Sequence, residues 1–294
     1  MKKTKTFSLS YFSWYSFRFQ SYILYSVLAV VSVLFLLIFS YYTSPITQIY
    51  GYDASFFQLV GQGMKHGMYP YRDFFDMKGP YMFLIEYIGQ LLCDGRTGIF
   101  LVQFISLYFT LIFILKIHRI LHNGKKYSLW FEVLSLFPYL WIAAATFEGG
   151  NLTEEFCLPA LTLCMYCYLR YAAQENSIQH PLRYAFVYGL SFGYITLIRI
   201  TSTSLICAIV LCAFVSLLLK KLYRNIFDNA VFFILGFVAA ITPAIIYCLY
   251  HGILSNMIYS VFVFGYTYAA EDGLFDFSLS QLKYFLPMLI PIIM

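Results

Sequence analysis

The sequence predicts an all-α protein that crosses a membrane several times. Of its 294 residues, 61% are hydrophobic and 11% are charged, whereas about a quarter of the residues in soluble domains are charged. Long apolar runs alternate with short polar segments, and the runs are about as long as a helical crossing of a bilayer. The formal charge of +5 does not indicate a nucleic-acid partner, because the basic residues lie between apolar runs rather than on one soluble face.

The first predicted span is 21–42, and residues 1–20 before it form a basic cytoplasmic N-terminus. No small-residue cleavage site follows this span, so we interpret it as an uncleaved anchor. The later predicted spans are 98–115, 127–147, 156–172, 184–198, 200–219 and 230–250, with the start of another at 284–294. Because that last segment is too short to cross a bilayer, we expect the chain to be truncated at its C-terminus.

Two apolar segments do not fit a simple crossing. Residues 184–219 contain one charge, Arg199, and as a single helix they would extend about 54 Å, nearly twice the thickness of the hydrocarbon core. We therefore expect the chain to fold back at Arg199. Residues 80–92 would extend only about 20 Å as a helix, so we predict an interfacial or partly inserted helix there.

The distribution of basic residues predicts the orientation. Lysines and arginines cluster in 1–20, 116–126 and 220–224, and such clusters mark the cytoplasmic side. The loops 43–97 and 251–283 then lie outside, and they carry most of the acidic residues. We expect a multi-pass protein of the cell membrane whose chemistry takes place on the extracytoplasmic face.

The polar stretch 52–80 begins with Asp53 and ends with Lys78-Gly79-Pro80. A carboxylate at the membrane surface suits proton abstraction from a hydroxyl, although Asp53 could instead be the N-cap of a helix. Lys78 places an ammonium near the lipid headgroups, where it could hold a phosphate or serve only as an interfacial anchor.

Arg199 is the most informative single residue. An arginine facing lipid near the bilayer centre costs roughly 2.5–3.5 kcal/mol, so Arg199 is expected to face a cavity or a partner. A lipid-linked phosphate would bind its guanidinium bidentately, while the alternative is a cap on an outer turn.

Further polar side chains lie on the same predicted face. Glu154 and Glu155 are candidate catalytic acids, or simply residues of a first helical turn capped by Thr153 or Asn151. The candidate substrate-binding residues of the loop also include Arg72, Asp73 and Asp76. The two aspartates could bind a divalent cation through water, but two carboxylates specify no metal, and no metal site is predicted.

Several of these segments resemble the GT-C glycosyltransferases, and most of all the bacterial branch similar to protein mannosyltransferases and lipid A aminoarabinose transferases. The resemblance lies in an Asp after the first span, the turn G-M-Y-P-Y-R-D at 67–73, K-G-P at 78–80 and G-G-N-L-T-E-E-F-C-L-P at 149–159. These pieces lie within 52–204, so the resemblance is to an amino-terminal transmembrane module, here 21–294.

The resemblance implies a transferase that uses a polyprenyl-phosphate sugar and an acceptor hydroxyl on a cell-envelope glycan, lipid or protein. Asp53 matches the family's loop aspartate, the base or acceptor-orienting group, and Lys78 matches the lysine expected near the donor phosphate. Glu155 or Glu154 matches a second acid, and Arg199 a basic residue near the lipid phosphate. The chain departs from the family at two motifs. Many members have two adjacent acids where this chain has Asp53-Ala54, and many have K-P-P where this chain has K-G-P at 78–80.

Two other functions remain open from the sequence. A transporter or flippase for a lipid-linked or anionic substrate would use Arg199 and the outer acids during alternating access, but the chain shows no inverted repeat. A non-catalytic, truncated membrane subunit is the other alternative.

Overall fold

The computed structural model describes residues 8–122, 127–174 and 179–271, and within these ranges the chain contains helices and no β-strand. The α-helices, numbered in chain order, are α1 (Ser8–Phe39), α2 (Tyr52–Lys65), α3 (Pro80–Leu92), α4 (Arg96–Leu121), α5 (Leu129–Leu134), α6 (Phe137–Thr146), α7 (Thr153–Ala172), α8 (Leu182–Thr196), α9 (Ser204–Leu219), α10 (Tyr223–Tyr250), α11 (Leu254–Ile258) and α12 (Gly265–Glu271). A 3₁₀ turn (Ile200–Thr203) precedes α9, and a π-helical segment (Tyr259–Phe264) precedes α12.

Five helical segments in the described ranges are long and apolar enough to cross a membrane. They are Tyr22–Phe39, Arg96–Leu121, Leu129–Thr146, Ile200–Leu219 and Tyr223–Tyr250. For the described residues, the prediction of an all-α chain with several helices long and apolar enough to cross a membrane is therefore confirmed. The predicted spans 156–172 and 184–198 correspond to α7 and α8, which are not among the five, and 284–294 lies outside the described residues. The orientation in the membrane stays a prediction.

Two apolar stretches are broken into separate helices. The stretch 184–219 forms α8 and α9, and Arg199 lies in the break between them, where the reversal was predicted. The predicted span 127–147 forms α5 and α6 rather than one helix. Pro138 stands in the first turn of α6, where the lack of a proline N–H costs no intrahelical bond, and this explains the new helix start.

Loops that were predicted to share a membrane face contact one another. At one end, the Tyr42 N–H donates to the Gly149 carbonyl at 2.9 Å, which joins the end of α1 to the α6–α7 turn. At the other end, the Arg119 guanidinium binds both oxygens of Glu132 at 2.9 and 2.8 Å. These contacts place the predicted outer loops together and the predicted inner loops together.

The buried side chains form two hydrophobic cores. One core is built mainly from α2, α3, α7 and α8, and includes Phe57, Phe83 and Tyr188. The second is built mainly from α1, α4 and α6, and includes Leu28 and Leu111. Residues of both cores, among them Phe57 and Ala143, line one cavity.

Candidate functional site

A cavity of about 500 Å³ opens where α2, α6, the start of α7 and the α8–α9 break meet. Five of the predicted site residues line it, namely Asp53, Lys78, Glu154, Glu155 and Arg199. The other lining residues are Phe57, Tyr139, Ile142, Ala143, Thr146, Phe147, Glu148, Leu152, Thr153 and Leu158. The cavity thus has one apolar wall, mainly from α6, and one wall of carboxylates and cations.

Lys78 reaches this cavity because the chain beside it is bound to the α8–α9 break. The Gly79 N–H donates to the Ile198 carbonyl at 3.1 Å, and the Tyr81 N–H donates to the Leu197 carbonyl at 3.0 Å. A Cβ atom at Gly79 would overlap the Leu197 carbonyl. A proline would also lack the N–H. The backbone contact therefore requires glycine at the middle of the K-G-P motif.

Arg199 and Glu154 form an ion pair within the cavity through Nη1 and Oε1. The Arg199 Nε also donates to Thr201 Oγ1 at 3.1 Å, and Thr153 Oγ1 donates to Glu154 Oε2 at 2.8 Å. The side chains of Arg199 and Glu154 are 41% and 47% exposed, respectively. Exposed ion pairs contribute little free energy, so a ligand with a stronger negative charge could displace Glu154 from Arg199.

Asp53 lies in the first turn of α2, which begins at Tyr52 with Gly51 as its N-cap. The interpretation of Asp53 as the N-cap is therefore wrong. The residue is exposed, and a carboxylate in the first turn interacts favourably with the helix dipole. Its carboxylate is free to meet a ligand that enters the cavity.

Asp76 supports the chain next to Lys78 and is not among the residues that line the cavity. Its Oδ1 accepts the Lys78 N–H at 2.9 Å. Burial raises the pKa of Asp76. Backbone hydrogen bonds from Lys78 and Met77 and the charge of Lys78 oppose this, and the negative charge of Asp53 adds to the rise. We therefore assign Asp76 to holding the Lys78 backbone in place.

Arg72 and Asp73 lie on the surface, outside the cavity lining. Their side chains pair at 2.9 Å, and Asp73 Oδ2 accepts the Tyr69 N–H at 2.7 Å. The hydrogen bond from Arg72 is the main reason that the pKa of Asp73 is lowered. No group of three or more His, Cys, Asp or Glu side chains within the described ranges is arranged to hold a metal ion.

Glu155 is buried and bound on both oxygens. Oε1 accepts the Leu152 N–H at 2.9 Å, and Oε2 accepts from Gln103 Nε2 at 2.7 Å. Gln103 Nε2 also donates to Ser40 Oγ at 3.0 Å, which connects Glu155 to the end of α1. The N-cap of α7 is Leu152, so the expectation of Thr153 or Asn151 as the cap is wrong.

The turn between α6 and α7 has an uncommon backbone. Four consecutive residues have positive φ angles: Glu148 (45°), Gly149 (93°), Gly150 (85°) and Asn151 (66°). Glycine adopts this region readily, whereas glutamate is strained there. Such strain persists only where surrounding contacts enforce it, and here the turn carries Glu148 and leads into α7, whose first turn carries Glu154 and Glu155.

Three polar residues of this region were not among the predicted site residues. Glu86 and Gln103 are fully or almost fully buried beside the site, and Tyr139 lines the cavity with a buried hydroxyl that has no hydrogen-bond partner. Glu86 and Gln103 were detectable as isolated polar residues within apolar runs, a pattern that marks functional positions in membrane proteins. A tyrosine in an aromatic-rich chain carries no such signal.

The chain was compared with models of known protein families, with curated proteins and with solved structures, and none of the three comparisons produced a match.

Proposed function

We propose that the protein is a membrane glycosyltransferase of the GT-C type. It transfers a sugar from a polyprenyl-phosphate carrier to a hydroxyl group of a cell-envelope glycan, lipid or protein on the extracytoplasmic face. The observation that carries the proposal is the single cavity that combines an exposed carboxylate, Asp53, with two cations, Lys78 and Arg199. These residues come from three separate segments of the chain, so their convergence favours a site over a chance polar surface.

The proposed reaction requires a group that accepts a proton and groups that stabilise a leaving phosphate. The acceptor oxygen attacks the anomeric carbon of the sugar while the bond from that carbon to the phosphate oxygen breaks. The hydroxyl proton passes to the Asp53 carboxylate. The negative charge that develops on the polyprenyl phosphate is stabilised by Lys78 and Arg199, which act as preorganised cations.

Glu154 acts as the second carboxylate of the proposed site. Before the donor binds, it neutralises Arg199. A donor phosphate competes for the same guanidinium and can bind it bidentately, which releases Glu154 toward the acceptor. Glu155 accepts two hydrogen bonds from the protein and is proposed to fix the start of α7, and hence the position of Glu154.

The proposal is tested with the purified full-length protein in lipid nanodiscs and a panel of radiolabelled polyprenyl-phosphate sugars. Asp53→Asn is expected to abolish transfer from the sugar that supports activity, with normal membrane insertion. Asp94→Asn is the matched control, because Asp94 is an exposed acid of the same loop that pairs with Lys65 at 2.6 Å, outside the cavity. Full activity of Asp53→Asn would remove Asp53 from the mechanism, and no transfer from any donor would refute the function.

A further inference from the structure

Glu86 is a buried acid in the apolar helix α3, with none of its surface exposed. Its hydrogen-bond partner is Asn151, whose Nδ2 donates to Glu86 Oε1 at 2.6 Å. Asn151 is also fully buried, and its Nδ2 lies 3.4 Å from the carbonyl oxygen of Ala54 on α2. Asn151 thus connects the α6–α7 turn to both α2 and α3, and Ala54 is the neighbour of Asp53.

One oxygen of each residue in this pair has no partner. Glu86 Oε2 and Asn151 Oδ1 are buried and make no hydrogen bond. Both are acceptors if Glu86 is ionised, and buried polar atoms in folded proteins nearly always have a partner. A carboxylic acid differs from a carboxylate by one O–H donor, which is the group that this pair lacks.

Glu155 provides an internal comparison. Its two oxygens accept hydrogen bonds from two donors, the Leu152 N–H and Gln103 Nε2, which is the arrangement expected for an ionised carboxylate. Burial raises the pKa of Glu155 to about 8, as it does for Glu86, and like charges disfavour the simultaneous ionisation of both acids. The two donors bound to Glu155 and the missing donor at Glu86 favour the negative charge on Glu155 and the proton on Glu86. Within the described ranges, no lysine or arginine forms an ion pair with Glu86.

We propose that Glu86 is a positioning residue that stays protonated at neutral pH and donates its Oε2–H to Asn151 Oδ1. The pair then has two hydrogen bonds, one from the acid to the amide and one from the amide to the acid. Glu86 Oε2 and Asn151 Oδ1 each gain a partner in this arrangement. This neutral pair holds Asn151 in its left-handed conformation and thereby fixes the turn that carries the acids of the cavity.

The environment of Glu86 supports this assignment. Burial raises its pKa to about 8, with the charge of Glu155 adding to the effect and the Asn151 hydrogen bond opposing it. Above that pH, the lost proton would leave Glu86 Oε2 and Asn151 Oδ1 without a donor and place a buried negative charge near Glu155. The turn is then expected to loosen, so Glu86 makes the geometry of the cavity dependent on pH.

Infrared difference spectroscopy of the full chain in lipid nanodiscs tests the proton directly. At pH 7, Glu86→Gln is expected to remove a carboxylic-acid C=O band from the wild-type spectrum. Glu132→Gln is the matched control, because Glu132 is a buried acid bound bidentately by Arg119, and its loss should remove carboxylate bands instead. Loss of carboxylate bands in Glu86→Gln as well would overturn the proposal.

Thermal unfolding measured at pH 6, 7 and 9 tests the positioning role. A glutamine can make both bonds to Asn151 and has no proton for the unfolded chain to release, so at pH 7 Glu86→Gln is expected to melt no lower than the wild type, whereas Glu86→Ala melts at a clearly lower temperature. Between pH 6 and 9 the wild type should lose more stability than Glu86→Gln does. A glutamine variant as unstable as the alanine variant at pH 7, or one that does not fold, would contradict the proposal. Neither measurement uses a substrate, so both outcomes are independent of the proposed function.

Discussion

The substitution Gly79→Ala tests whether the backbone contact between the K-G-P motif and the α8–α9 break positions Lys78. The added Cβ would overlap the Leu197 carbonyl, so one of the two segments must move. Overpacking of this kind costs about 1–3 kcal/mol. The movement also strains the hydrogen bonds from the Gly79 and Tyr81 N–H groups, at 3.1 and 3.0 Å, and each such bond contributes about 0.5–1.5 kcal/mol.

Two measurements follow from these magnitudes. A loss of about 1–3 kcal/mol lowers the melting temperature of a protein of this size by roughly 2–10 °C. Farnesyl phosphate, a short polyprenyl phosphate, serves as the binding probe. If Lys78 also moves away from the proposed binding position of the phosphate, one charge-assisted hydrogen bond worth about 1.5–3 kcal/mol is lost, and the affinity for farnesyl phosphate falls about 10- to 100-fold. Thermal unfolding and calorimetric titration of the full chain in nanodiscs measure the two effects.

Gly265→Ala is the matched control for this substitution. Gly265 has a φ angle of −59°, and the nearest atom to an added Cβ is the Ser260 carbonyl oxygen at 3.8 Å. Alanine in this helical position is expected to leave binding unchanged and to keep or slightly raise the melting temperature. If Gly79→Ala keeps the wild-type melting temperature and the wild-type affinity for farnesyl phosphate, the reasoning is refuted, because the backbone contact with the α8–α9 break would then not position Lys78.

Three further predictions concern charges at or near the site. Glu154→Gln is expected to raise the affinity for farnesyl phosphate about two- to fivefold, because Arg199 loses an exposed ion-pair partner, and to lower transfer, because the second carboxylate of the site is lost. An unchanged affinity in the titration would argue against competition between Glu154 and the phosphate for Arg199. Lys78→Met is expected to weaken farnesyl phosphate binding about 10- to 100-fold. The control Lys65→Met removes a lysine outside the cavity and should change the affinity less than about twofold. Equal losses in the two variants would indicate a nonspecific charge effect. Because the native state holds the Glu86 proton up to about pH 8 and the unfolded chain releases it near 4.5, stability is expected to fall as the pH rises through this window and to level off above it. Glu86→Gln should reduce this slope in unfolding experiments across the pH range, and part of the slope should remain because burial also raises the pKa of Glu155 to about 8.

Much of the helical organisation was predictable because it follows from length, hydropathy and charge. An apolar run of 36 residues cannot cross a bilayer once, so the reversal at Arg199 follows from length and a single charge. The 80–92 segment forms α3 with the predicted bounds, since its proline start and short apolar run define it locally. The break between α5 and α6 was missed because Pro138 lies within a run that is apolar on both sides.

The candidate site was predictable in part. Asp53, Lys78 and Arg199 were selected as polar residues at the ends of apolar runs, and the structure places them around one cavity. Arg72 and Asp73 belong to the same polar stretch and have the same chemistry, yet they pair with each other at the surface. Composition cannot separate these two groups, because the direction of a side chain depends on the local backbone path.

The sequence by itself determined that this is a helical membrane protein and which polar segments lie together at one end of it. The tertiary structure decided which of those polar groups converge on the cavity and what holds them there. The contacts between Glu86 and Asn151, and between Gly79 and Ile198, join residues far apart in the chain. Such contacts depend on the docking of helices and on a turn with four positive φ angles, and neither leaves a periodic signal in the sequence.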